Sequence, residues 1–239
     1  MSRNKTLIIV EGARVDYNLM KHVLIQYEIS DECHIIPYET NIYSLYNSMF
    51  KDTCPSDLDL LSHLKSREKD PFKKTIFDQK YTDILLIFDL DPHDTNFSDE
   101  KISEMTEYFV ESTDMGKLYL NYPMIEAFYH MKSIPDDGYN SYTVSLAELK
   151  AKAYKSRVNE ECRGRSYSKF AIDRKEITTV IKQNVAKAHR IAGTKIADYP
   201  PSQADLLNRQ LAKMHTDNSV YVLCTCVFYI IDYNPRLLQ

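Results

Sequence analysis

The chain has no tryptophan and only five glycines among its 239 residues. None of those glycines forms a G-x-G or G-K-[ST] pair, so a P-loop or Rossmann phosphate cradle is not encoded. Cysteine is scarce as well. The nearest two of five, Cys224 and Cys226, are too isolated to make a zinc site. An odd thiol count without a secretory leader points to a reducing compartment, and a cytoplasmic protein is expected. Long apolar runs are missing too. The most apolar one, residues 220–231, is 12 residues long, short of the roughly 20 that cross a bilayer. No membrane partner is therefore expected. The 44% hydrophobic content still suffices for a sizeable core and excludes wholesale disorder.

Charge of one sign is locally lacking, although the total of −4 is mild. Residues 1–149 carry 14 basic against 26 acidic side chains, a net of −12. Residues 150–195 carry 13 against 4, a net of +9. An acidic front can host divalent cations, and a basic middle can bind a polyanion. The plainer reading of the basic run is a solvated helix face carrying Lys150, Lys152, Lys155 and Arg157.

Strand and helix signals alternate through the front half. Residues 7–10 (L-I-I-V), 33–38, 83–89 (D-I-L-L-I-F-D) and 117–122 read as buried strands. Leu19, Met20, Val23, Leu24 and Tyr27 recur at helical spacing after the first of them. Residues 42–80 read as helical and charged, with breaks at Pro55 and Pro71. Ser98 reads as the N-cap of a further helix. A last helix of this half falls at 124–131. This order predicts an α/β fold with a mostly parallel sheet flanked by helices. Beyond 141 the pattern becomes mainly helical, with runs at 142–158, 173–192 and 202–214. The division expected is residues 1–140 and 141–239, the second part basic and serving nucleic-acid binding or an interface. Periodicity leaves the run at 220–231 open between strand and buried helix.

Two acidic features follow strands directly: Glu11-Gly12 after the first, and Asp89-Leu90-Asp91 after the strongest. Ligands of an open parallel sheet gather at the carboxyl ends of its strands. Carboxylates brought together there repel unless a cation neutralises them, and hard oxygen donors suit Mg²⁺ or Mn²⁺. Each acid alone is an ordinary turn residue. The pair is more specific.

Together, L-I-I-V-E-G-A-R-V-D-Y and I-L-L-I-F-D-L-D resemble a TOPRIM domain, whose signature is Glu-Gly after one strand and Asp-x-Asp after a later one. The resemblance covers roughly residues 5 to 130. It implies that Glu11, Asp89 and Asp91 ligate Mg²⁺ (or Mn²⁺) for phosphoryl transfer. Within that family the chain is most similar to nucleases of the OLD and RloB kind, found in bacterial antiphage systems. Asp16 is similar to the second acid of their E-G-x-x-T-E opening, with Val15 in place of the Thr. N-Y-P-M-I-E-A-F-Y-H resembles their N-P-x-F-E-x-W block, Asn121, Glu126 and Phe128 taking the Asn, Glu and Trp places.

The resemblance thus implies a metal-dependent endonuclease acting on DNA or tRNA, the toxic effector of a defence system. Glu11, Asp89, Asp91 and Glu126 would be catalytic. It also implies a separate ABC- or OLD-type ATPase partner, and family habit suggests a homodimer. His130, four residues after Glu126, would share its helix face and contact a phosphate or act as an acid, or the two would be a capped, solvated pair. Arg163, Arg165, Lys169, Arg174 and Lys175 are dense enough to track a nucleic-acid backbone. The alternative is a non-catalytic TOPRIM-like scaffold module that docks a partner protein.

Overall fold

Aliphatic runs without polar alternation need cover on both sides, and here they build a parallel sheet. In the computed structural model, which describes residues 5–50 and 59–239, four strands run in parallel. They are β1 (Thr6–Val10), β2 (Cys33–Pro37), β3 (Asp83–Asp89) and β4 (Lys117–Asn121), in the spatial order β2-β1-β3-β4. All of β1 is buried, as is β3 from Ile84 onward. Removing a side chain such as Phe88, fully enclosed in the sheet, would cost about 3–5 kcal/mol.

The crossovers are α1 (Val15–Gln26), α2 (Ile42–Met49), α3 (Leu60–Arg67), α4 (Pro71–Ile76) and α5 (Asp99–Tyr108). Asn41, Asp59, Asp70 and Ser98 cap the last four by accepting a backbone N–H through the side chain. The break read at Pro55 lies outside the described residues. Pro71 stands at the first position of α4, where its missing N–H costs nothing.

From β1 the chain passes to β2 on one side, then crosses to β3 on the other. The carboxyl ends of β1 and β3 therefore flank the topological switch point, the usual ligand position in such sheets.

The second half contains β5 (Thr143–Ser145), α6 (Leu146–Lys150), α7 (Tyr154–Glu161), α8 (Arg174–Ala192), α9 (Gln203–Asp217), β6 (Ser219–Tyr221) and α10 (Tyr229–Tyr233). The expected helices at 173–192 and 202–214 are α8 and α9. Gly193 closes α8 at a φ of 73°, which a side chain would resist. The expected helix at 142–158 is instead a strand and two helices. The β-branched pair Thr143-Val144 is drawn into an antiparallel ladder with β6, and Lys152, at a φ of 56°, turns the chain between α6 and α7. The expected helix at 124–131 shrinks to a single 3-10 segment, Ile125–Tyr129.

The run at 220–231 is neither one strand nor one helix, and it is almost wholly buried. Tyr122 and Leu223 exchange backbone hydrogen bonds of 2.9 and 2.8 Å, and Thr225 Oγ1 donates to the Leu120 carbonyl at 2.9 Å. One hydrophobic core extends from Leu7 to Ile231, joining the sheet to the helical half. Among the described residues, no helix is long and apolar enough to cross a membrane.

Candidate active site

Glu11 is the first residue past β1, where its N–H bonds the Ile87 carbonyl of β3 at 3.0 Å. Its carboxylate reaches back across the switch point and accepts the Asp89 N–H at 3.2 Å. Asp89, the last residue of β3, pairs in register with Asn121 of β4 and accepts that side chain's N–H at 3.3 Å. Asn121 is fully buried and is fixed from behind. Its carbonyl oxygen accepts the N–H groups of Thr225 and Cys226 at 3.2 and 3.3 Å.

Asp91 follows in a left-handed conformation, φ 40°, a costly backbone state for a residue with a side chain. The N–H of Asp91 bonds the Pro123 carbonyl, and the Asp91 carbonyl accepts from Asp94. The Tyr43 hydroxyl holds the intervening Leu90 carbonyl. Strain locked in by such partners is characteristic of sites where side-chain direction matters.

Two further acids join these three. Asp16 lies in the first turn of α1 and is 6% exposed, and Glu126, on the 3-10 segment, is 2% exposed. The backbone N–H groups of Gly12 and of Asp16 itself favour the charged form of the Asp16 carboxylate, against its burial. A Cβ on Gly12 would stand 2.6 Å from Asp16 Oδ2, so only glycine leaves this acid its place.

Glu11, Asp89 and Asp91 open into a cleft of about 260 Å³, whose opposite wall comes from the helical half: Leu149, Lys152, Tyr154 and Lys155. Lys155 Nζ lies 3.1 Å from Glu126 Oε1. Burial, then repulsion from Asp91 and Asp16, pushes Glu11 up to about 8, against a weaker lowering by the Asp89 N–H. Asp16 rises to about 6, mainly through burial, with Glu126 adding to it. Burial drives Asp89 well above the usual carboxylate range, and Glu11, Asp16, Asp91 and Glu126 reinforce it. Asp91 also rises through burial, with His93 and Lys155 opposing.

The donor set is oxygen-only and short of positive charge. Asp16 Oδ1 and Glu126 Oε2 are buried without a hydrogen-bond partner. Both observations fit a hard divalent cation. Among the described residues, however, no three Asp, Glu, His or Cys side chains converge as a ready-made cage.

The structure thus brings Glu11, Asp89, Asp91 and Glu126 into one neighbourhood. His130 is not in the cleft. It is 2% exposed, with Nδ1 3.2 Å from the Tyr154 hydroxyl, Nε2 3.4 Å from Glu161 and its ring against Tyr142. Burial and the nearby Arg157 lower it to about 4. At neutral pH it is an uncharged, buried group held by Tyr154 and Glu161. It does not share a helix face with Glu126, because the 3-10 segment ends at Tyr129.

The basic residues divide in two. Arg163 is paired with Glu176, and Arg174 lies 5.0 Å from the Tyr27 ring centroid while donating to the Leu237 carbonyl. Arg165, Lys169 and Lys175 are exposed.

Reading the sequence missed Lys155 as part of the site. It stands in a basic run that reads as a solvated face, and no local signal separates it from Lys150 or Lys152. Asp16 was visible only through the motif, and burial now sets it among the acids. Comparison with known proteins brings no match for this chain, whether among family models, curated proteins or solved structures.

Proposed function

We propose that the chain is a metal-dependent endonuclease of the TOPRIM type, hydrolysing phosphodiester bonds in DNA or tRNA. The observation that carries this reading is five carboxylates, Glu11, Asp16, Asp89, Asp91 and Glu126, gathered at the switch point of a parallel sheet with Lys155 as their nearby cation. Glu11, Asp89 and Asp91 would hold Mg²⁺ or Mn²⁺, with Glu126 and Asp16 completing the acidic wall. Bound there, the ion would polarise the scissile phosphate and make water a competent nucleophile near neutral pH. Asn121 keeps Asp89 oriented. Lys155, released from Glu126, would neutralise charge on the phosphate. The exposed Arg165, Lys169 and Lys175 would engage the backbone on either side. The family likeness extends the proposal to a toxic antiphage effector in the bacterial cytoplasm, restrained by a separate ATPase and acting as a homodimer.

The Lys155–Glu126 pair also favours a second reading. An internal ammonium could replace the metal as counter-charge, leaving a scaffold module that docks a partner protein. One experiment separates the two. Labelled plasmid DNA and total tRNA are incubated with purified protein in Mg²⁺, Mn²⁺ or EDTA, beside Glu11→Gln. Cation-dependent cutting that Glu11→Gln abolishes is expected. No cutting, together with no thermal shift on adding either cation, would favour the scaffold.

A further inference from the structure

Beside the acidic cleft lies a larger cavity of about 540 Å³, within the range of about 300–1,000 Å³ typical of small-molecule sites. The two share no lining residue, but the cavity and the buried acids draw on the same two elements. On α1, Asp16 belongs to the acids, whereas Val15, Asn18, Leu19 and His22, at helical spacing, line the cavity. On the 3-10 segment, Glu126 belongs to the acids, whereas Phe128 and Tyr129 line the cavity. Tyr167, across the cavity, is tied to the helix that bears Lys155: its hydroxyl donates to the Lys155 carbonyl at 3.4 Å.

Phe128, Tyr129, Tyr167 and Phe170 give the cavity an aromatic lining, and Tyr167 is the most exposed of the four. Tyr129 and Tyr167 stack at 4.4 Å between centroids, 16° from parallel. Phe170 meets Phe128 and Tyr129 edge-on at 5.6 and 5.8 Å. Polar groups sit at the rim: the exposed Asn18 amide, which can both donate and accept, the exposed Arg14 guanidinium, and Ser168. The exposed cation Lys169 adjoins Ser168 in sequence.

Planar rings for stacking, an amide for edge recognition and cations for phosphate are together what an unpaired nucleotide needs. We propose that this cavity receives a nucleobase turned out of the substrate strand next to the bond to be cut. The inference rests on the nuclease reading and narrows it: the substrate is single-stranded or locally unpaired where it is cleaved.

The test uses short single-stranded DNA and RNA oligonucleotides carrying one 2-aminopurine and a 5′ fluorescein. Binding is followed by fluorescein anisotropy and stacking by 2-aminopurine quenching, with Glu11→Gln protein so that nothing is cut. The chain's lack of tryptophan leaves the 2-aminopurine signal clear. Asn18 and Ser168 are both exposed, so Asn18→Ala and Ser168→Phe (the latter to fill the cavity) should fold, which circular dichroism checks.

Quenching of severalfold on binding is expected for the single strand and not for a perfect duplex. Ser168→Phe should abolish it and weaken binding about tenfold, and Asn18→Ala should reduce it. The stronger signal of the DNA and RNA arms identifies the preferred strand. An anisotropy rise without quenching, or quenching that Ser168→Phe leaves intact, overturns the cavity assignment and leaves the nuclease reading standing. No anisotropy rise with either strand overturns both.

Discussion

The Lys155 ammonium stands 3.1 Å from Glu126 Oε1, a pair in which the lysine side chain is 63% exposed and the carboxylate 2%. It stitches α7 to the 3-10 segment, and its charge also opposes the rise of Glu11, Asp16 and Asp91. Lys155→Met should therefore cost about 1–2 kcal/mol, less than a fully buried pair because water screens the lysine. Urea unfolding in EDTA measures this. Lys155→Arg should restore most of the stability but less of the cleavage, since a planar guanidinium does not place its charge as an ammonium does.

The raised acids make a second prediction, about pH. With Glu11 held near 8 and Asp16 near 6 in the fold, against 4.5 and 3.8 ordinarily, the folded chain keeps protons that the unfolded chain releases. That contribution to stability is complete below about pH 4 and is lost as pH rises through 6 and then 8. Cation-free protein should thus show a falling Tm from pH 5 to 8.5. Mg²⁺ should raise Tm more at pH 8.5 than at pH 5, as a cation replaces the lost protons. A Tm independent of both pH and Mg²⁺ would contradict the site as described.

Gly12 gives a sharper probe of the same acids. Its backbone would accept alanine, but the added Cβ would fall 2.6 Å from Asp16 Oδ2. Gly12→Ala should keep the fold, displace Asp16, and weaken Mg²⁺-supported cleavage about 10–100-fold, the usual scale for disturbing a metal site's supporting residues. Far-ultraviolet dichroism and a Mg²⁺ titration of activity together check it.

The division of the basic residues predicts which of them matter for binding. Reversing Arg165 and Lys169, both exposed, should lower the slope of log K against log[salt] by about 2 without loss of stability. Reversing Arg163 instead breaks its pair with Glu176, so its effect should appear in Tm as well. Fluorescence anisotropy at several salt concentrations distinguishes them.

Most of the sheet was legible in the sequence because its strands are unbroken aliphatic runs, and a run such as 83–89 has no amphipathic alternative. The acids at strand ends were legible for the same reason: once the strands are placed, Glu11 and Asp89 can only emerge at one edge. What was not legible depends on contacts distant in sequence. Thr143 and Val144 belong to a helical pattern until β6, some 75 residues later, offers them a ladder. His130 reads as a site residue until Tyr142, Tyr154 and Glu161 enclose it. Lys155 reads as solvated until α7 swings it over Glu126.

The hold of the 220–231 run on Asn121 sets an order of events. The two N–H groups that fix the Asn121 carbonyl, and through it the partner of Asp89, come from residues 225 and 226, more than a hundred positions downstream. Until that stretch has left the ribosome, β4 has no support behind its last residue, and the acidic cluster lacks one of its anchors. An emerging chain can form its central strands early, yet it cannot finish the cluster until synthesis has passed residue 226. Whatever the acids do, they do only in a molecule whose synthesis has passed that point.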